Sequence, residues 1–131
     1  MASETSGINK TYTLNESGGV VAGQAANLDS TRGQVVKGTA NSEHFAGVFE
    51  AAVTNGKPAS MAKSGLKKVR IGAAVTIRKY ATVDANGNFI NLPVNATPVS
   101  YYVVGKFEET GAALGNLVDM HIICPPIVIS S

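Results

Sequence analysis

From Tyr12 onward, short apolar runs alternate with turn residues, the pattern of a protein built from many brief strands. Asn15–Gly19, Gly23, Ser30–Gly33 and Asn55-Gly56 read as turns. The clearest two-residue period spans Val69–Arg78. It sets Val69, Ile71, Ala73, Val75 and Ile77 on one face, and Arg70, Gly72, Ala74, Thr76 and Arg78 on the other. Gly72-Ala73-Ala74 is a point where that strand bends or divides. Val83–Phe89 predicts a hairpin, with Asn86-Gly87 suited to a type I′ turn. Tyr101–Val104 and Leu117–Ile123 are rich in β-branched and aromatic residues and extend the strand reading.

Phe45, Val48, Phe49, Ala52 and Val53 are spaced as on a helix face, so residues 45–53 are ambiguous between helix and strand. An internal echo favours strand. Asp29…Gly33-Gln34-Val35 followed by Ala46-Gly47-Val48-Phe49-Glu50 is repeated as Asp84…Gly87-Asn88-Phe89 followed by Val104-Gly105-Lys106-Phe107-Glu108. A β-rich stretch closes each copy, Lys68–Ile71 in the first and Leu117–Ile122 in the second. Two similar halves of one small β domain explain this better than a helix in one half and a strand in the other.

With 131 residues, 44% hydrophobic and only 15% charged, the chain can bury a core without a metal or disulfide staple. The reading is residues 1–10 as an extended N-terminal arm and residues 11–131 as a single β-rich domain. The arm is polar and aperiodic, and Ser3, Glu4, Thr5, Ser6, Ile8 and Lys10 are its candidate contacts with another chain. Its first residues lack the apolar core of a signal peptide, which predicts synthesis in a cytoplasm. No apolar string approaches the ~20 residues that a bilayer demands, so no membrane partner is expected.

Charge is segregated. Residues 51–83 carry seven Lys and Arg and no acid, while residues 1–50 hold three basic residues against five acids and residues 84–131 one against four. The block has two readings. It is a solvated face balanced by folded-in acids, or it is a contact with an acidic partner through Lys57, Lys63, Lys67, Lys68, Arg70 and Arg78.

Catalytic chemistry is not in evidence. His44 and His121 fall in opposite halves without neighbouring ligands at metal spacing. Cys124, the one cysteine, reads as a small apolar residue. Ser60–Lys63 fits a Ser-x-x-Lys pattern but lacks the companion elements of that class. Glu50 and Glu108, a candidate acid–base pair, sit at equivalent places in the echo and read as a repeated structural feature. The sequence therefore predicts no catalytic residue, no cofactor and no metal. Asn9, Asn15 and Asn95 open sequons, read as accidental without a secretory leader.

The order Val20–Ala25, Leu28-Asp29, Gly33–Val36, then Ala46–Ala52, then Val69–Gly72 resembles the small capsid decoration, or cement, proteins of tailed bacteriophages. Ala85–Asn88 and Val104–Gly111 look like that family's second half, and the similarity covers residues 12–123. The resemblance implies a mainly β, barrel or β-tulip-like domain on the outer surface of a phage capsid. It also implies a homotrimer that binds the major capsid protein, clamps neighbouring subunits and stabilises the shell. One alternative is another virion component, a head-fibre base or tail-associated domain. Another is a small basic barrel binding nucleic acid, an unlikely partner because no aromatic interleaves the basic run. The Ile122–Ile129 stretch, uncharged and interrupted by prolines, is the expected seam between subunits.

Overall fold

The computed structural model describes residues 12–95, 97 and 99–130, so the expected arm at residues 1–10 lies outside the described residues. Eleven strands and no helix make up the described chain, arranged as two sheets. The first sheet contains β1 (Tyr12–Leu14), β2 (Ala25–Leu28), β3 (Gln34–Lys37), β4 (Phe45–Phe49), β5 (Pro58–Ala59) and β6 (Met61–Ala62), in the order β5-β1-β3-β2-β4-β6. Its two edge strands are separated in sequence by Ser60 alone, so the sheet curls until its edges nearly meet. Inside lie Leu14, Val20, Ala26, Val35, Ala46, Phe49, Ala59 and Met61.

The second sheet contains β7 (Leu66–Arg70), β8 (Tyr80–Val83), β9 (Phe89–Asn91), β10 (Ser100–Phe107) and β11 (Leu117–Ser130), in the order β7-β11-β10-β8-β9. It too is nearly closed. Ile71, just past β7, bridges Phe89 at the opposite edge, and the Gly72 N–H donates to the Phe89 carbonyl at 3.0 Å. Val69, Ile71, Phe89, Phe107 and Met120 fill this barrel-like sheet, and its core continues onto Ala25, Phe45, Val48 and Ala62 of the first sheet. The Phe45 and Phe89 rings meet edge to face, 6.1 Å between centroids, and join the halves.

The sequence echo is visible as topology. The run β3-β2-β4-β6 recurs as β9-β8-β10-β11, antiparallel throughout. Ala26 stands opposite Gly47 as Ala81 stands opposite Gly105, and Phe49 opposite Met61 as Phe107 opposite Met120. The small residues let adjacent backbones approach. A Cβ on Gly47 would lie 2.5 Å from the Ala62 carbonyl oxygen.

The same glycine explains the helix-like spacing. Gly47 has φ 147°, and the β2–β4 register slips here, with Ala26 facing Gly47 and Asn27 facing Phe45. A bulge adds one residue to the two-residue period. Phe45 and Val48 therefore enter one core while Ala46 and Phe49 enter the other, and all five residues of β4 are buried. Residues 45–49 are strand, as the echo indicated.

Three expectations need correction. The Val69–Arg78 alternation breaks near Gly72–Ala74, as the sequence allowed, but its second part is not a strand: β7 ends at Arg70, Ile71 and Val75 make isolated bridges, and Ile77 and Arg78 form an exposed turn. The glycine and small residues at 72–74 leave too little side chain to hold a ladder, and Ala73 and Ile77 face solvent. The 83–89 hairpin forms, but its turn is not type I′, since Gly87 alone takes a positive φ, 80°. Its conformation is set by Asp84, whose Oδ1 accepts from the Asn86 and Asn88 N–H groups at 2.8 and 3.0 Å. Finally, the first-half counterpart of Leu117–Ile122 is β6, not Lys68–Ile71, because β7 crosses over to pair with β11 in the second sheet.

Candidate docking surfaces

Folding disperses the basic block. Lys67 Nζ sits 3.5 Å from Glu50, and Lys68 Nζ lies 3.2 Å from both Glu109 and Asp119. Hydrogen bonds donated by its ammonium to Glu109 and Asp119 raise the Lys68 pKa above its ordinary value. The Asp119 N–H, donating at 2.9 Å, and then the Lys68 ammonium hold Glu109 below the usual carboxylate range. These two lysines are thus balanced by the chain's own acids, which folding brings in from residues 50, 109 and 119. Lys63 lies over the Tyr12 ring at 5.3 Å and Lys57 is exposed in a turn of the first half. Arg70 and Arg78, expected on one outward strand face, stand on separate elements. The arm candidates Ser3, Glu4, Thr5, Ser6, Ile8 and Lys10 lie outside the described residues.

Arg70 lines an open cleft of about 580 Å³ between the halves, with Gly19, Val20 and Thr54 on one side and Asn86, Asn88 and Leu114 on the other. Gln24 ties the floor together: its amide donates to the Asn86 carbonyl at 3.2 Å and Asn88 Oδ1 at 3.3 Å, and its oxygen accepts from the Val21 N–H. The cleft offers one guanidinium among amides and apolar side chains. Among the described residues, no three His, Cys, Asp or Glu side chains gather as a metal site. Cys124 is half-buried against the core, its thiol 3.7 Å from the Phe45 carbonyl, and burial pushes its pKa up.

Register builds a surface that no sequence window contains. Tyr80 pairs with Lys106, Lys106 with His121, and His121 with Leu66, so these four exposed side chains form one row across β8, β10, β11 and β7. Lys106 Nζ lies 5.7 Å over the Tyr80 ring. The exposed turn Ile77-Arg78-Lys79 joins this row, because the Arg78 N–H donates to the Phe107 carbonyl at 2.7 Å and the Phe107 N–H to the Lys79 carbonyl at 2.9 Å. Sequence reasoning missed Lys106 because it sits alone in an acidic third of the chain.

A ribbon is the remaining feature. Ser100–Val103 pairs with Ile127–Ser130, and between this ladder and the barrel the residues 123–126 stand opposite Val104 alone. Beyond His121 the outer edge of β11 pairs with no strand among the described residues, and Ile127 and Val128 are 46% and 57% exposed. The prolines at 125 and 126 fall in the stretch 123–126 that has no paired partner on β10, where a missing N–H is tolerated.

The architecture is that of a small, mainly β protein of two nearly closed sheets, and it recurs in a solved structure. The N-terminal base of the head fiber protein gp8.5 of bacteriophage phi29 superposes with a TM-score of 0.64 at 17% identity, covering 91% of this chain and 98% of that one. No protein-family model matches the sequence, and no curated protein does.

Proposed function

We propose that this protein is a non-enzymatic structural component of a tailed-phage virion, standing on the outer surface of the head as the base of a fibre or projection. The observation that carries this reading is the two-way coverage of the fold match. Nearly all of each chain superposes, so the likeness extends to the whole of the phi29 fibre base and not to one shared motif. The sequence alternative of a head-fibre base thereby gains weight over a decoration protein clamping the major capsid protein. Trimerisation remains part of the proposal, with the uncharged outer edge of β11 as its seam, since edge strands without charge favour pairing with another chain.

Electron cryomicroscopy of the particle with which the protein purifies is the direct test. Density for the two-sheet domain at the foot of an outward projection is the expected result. Density bridging adjacent capsid subunits without a projection would favour the decoration reading, and no density on the head would refute both. Multi-angle light scattering of the free protein tests the trimer.

A further inference from the structure

Among the described residues ten have a positive φ: eight are glycines, one is Asn41 and one is Arg78. Asn41 uses its side chain in place, Oδ1 accepting from the Tyr102 N–H at 2.7 Å. Arg78, at φ 75°, has no such internal reason. Among the described residues its one hydrogen bond is a backbone bond that any residue but proline would make. An exposed arginine held where glycine would be relaxed is a strained choice, and such strain points to a task for the side chain. The neighbours share its character. Arg78, Lys79 and Lys106 make no ion pair among the described residues, whereas the lysines of β7 do. The carboxylate next to Lys106 in sequence is Glu108, just past the end of β10, so the cluster is predominantly cationic. Ile77 and Tyr80, 45% and 40% exposed, give it an apolar body.

We propose that Arg78, Lys79 and Lys106, with Ile77 and Tyr80, form the docking surface for an acidic protein partner, Arg78 being its anchor. A single exposed aromatic gives no stacking track, which disfavours a nucleic acid as the occupant. This deepens the virion reading by naming the face and chemistry of contact, and it rests on that reading for a partner that is a protein of the particle.

The test uses the full chain with poly-L-glutamate as probe and a single-stranded DNA oligonucleotide of matched charge as comparator, each at low and high salt. Arg78→Gly keeps the backbone hydrogen bond and relieves the φ, so its Tm is expected to hold or rise by roughly 2–4 °C. The same variant should weaken poly-L-glutamate binding about threefold, and Arg78→Gly with Lys79→Ser and Lys106→Ser by tenfold or more, with a flatter salt dependence. Lys57→Ser, on the other half, should change neither. Equal affinity in the triple variant and the parent would overturn the proposal, as would a lowered Tm in Arg78→Gly, which would make the arginine structural. Stronger binding of DNA than of poly-L-glutamate, lost in the same variants, would overturn the protein partner. A negative outcome leaves the imaging test of the virion reading untouched, so the two fail separately.

Discussion

Replacing Gly47 by alanine separates two costs that most glycine substitutions confound. At φ 147° the backbone lies where L-residues are strained, and the new Cβ would sit 2.5 Å from the Ala62 carbonyl oxygen and 3.3 Å from Met61 Cβ. The obstacle is backbone of the paired strand β6, so it cannot rotate away. Gly33→Ala is the internal control, because Gly33 has φ 81° with nothing within 4 Å of its added Cβ. Conformational strain alone puts Gly33→Ala at about 1–2 kcal/mol. Gly47→Ala adds the displacement of β6 from a strand buried on both faces, which at the cost of core overpacking adds a further ~1–3 kcal/mol. Its total, roughly 2–5 kcal/mol, is a large share of the ~5–15 kcal/mol that holds a typical domain together. Urea unfolding followed by far-ultraviolet circular dichroism reads the difference, since the chain has no tryptophan. Equal midpoints for the two variants at equal m would refute the claim that close backbone approach at Gly47 sets the β4–β6 packing.

Phe89→Ala should cost about 3–5 kcal/mol in the same assay, because the ring is fully buried and meets Phe45 across the two halves. Asp84→Ala should destabilise by about 2 kcal/mol through loss of the carboxylate that accepts from Asn86 and Asn88, while Asp84→Asn, which keeps an acceptor, should cost less. Glu109 has a lowered folded pKa, so its contribution is present above the ordinary value of 4.5 and disappears as pH falls through the folded pKa. Lys68 is raised, so its share is full below 10.5 and fades only as pH climbs past its folded value. Glu109→Gln should accordingly flatten the acid limb of a Tm-against-pH curve while leaving the profile between pH 6 and 9 parallel to the parent.

Strand content was legible because it is a local property: β-branched runs and turn residues suffice to mark it. The duplication was legible too, since Asp84, Gly105 and Phe107 repeat the chemistry of Asp29, Gly47 and Phe49. What escaped is long-range. Nothing in Leu66–Arg70 says that these residues leave the half in which they are encoded and pair with β11. Nor does a charge count reveal that Glu50, Glu109 and Asp119 return to neutralise Lys67 and Lys68. Arg78 was among the sequence candidates, but its grouping with Lys106 escaped for the same reason, since a cross-strand register, not a sequence window, assembles that face. Deleting residues 2–10 should leave a folded domain that binds its partner weakly, and light scattering tests the seam.

The crossing of β7 also orders events during synthesis. Residues 12–62 contain every strand of the first sheet, so that half can close while the ribosome is still translating the second. β7 emerges next with no partner available, because Met120, which pairs with Lys67, is translated some fifty residues later. At translation rates of about 5–20 residues per second, that leaves an unpaired edge exposed for seconds. Its sequence is suited to waiting: Lys68, neutralised only once Glu109 and Asp119 have been made, gives the nascent strand a charge that keeps it from pairing with neighbouring chains.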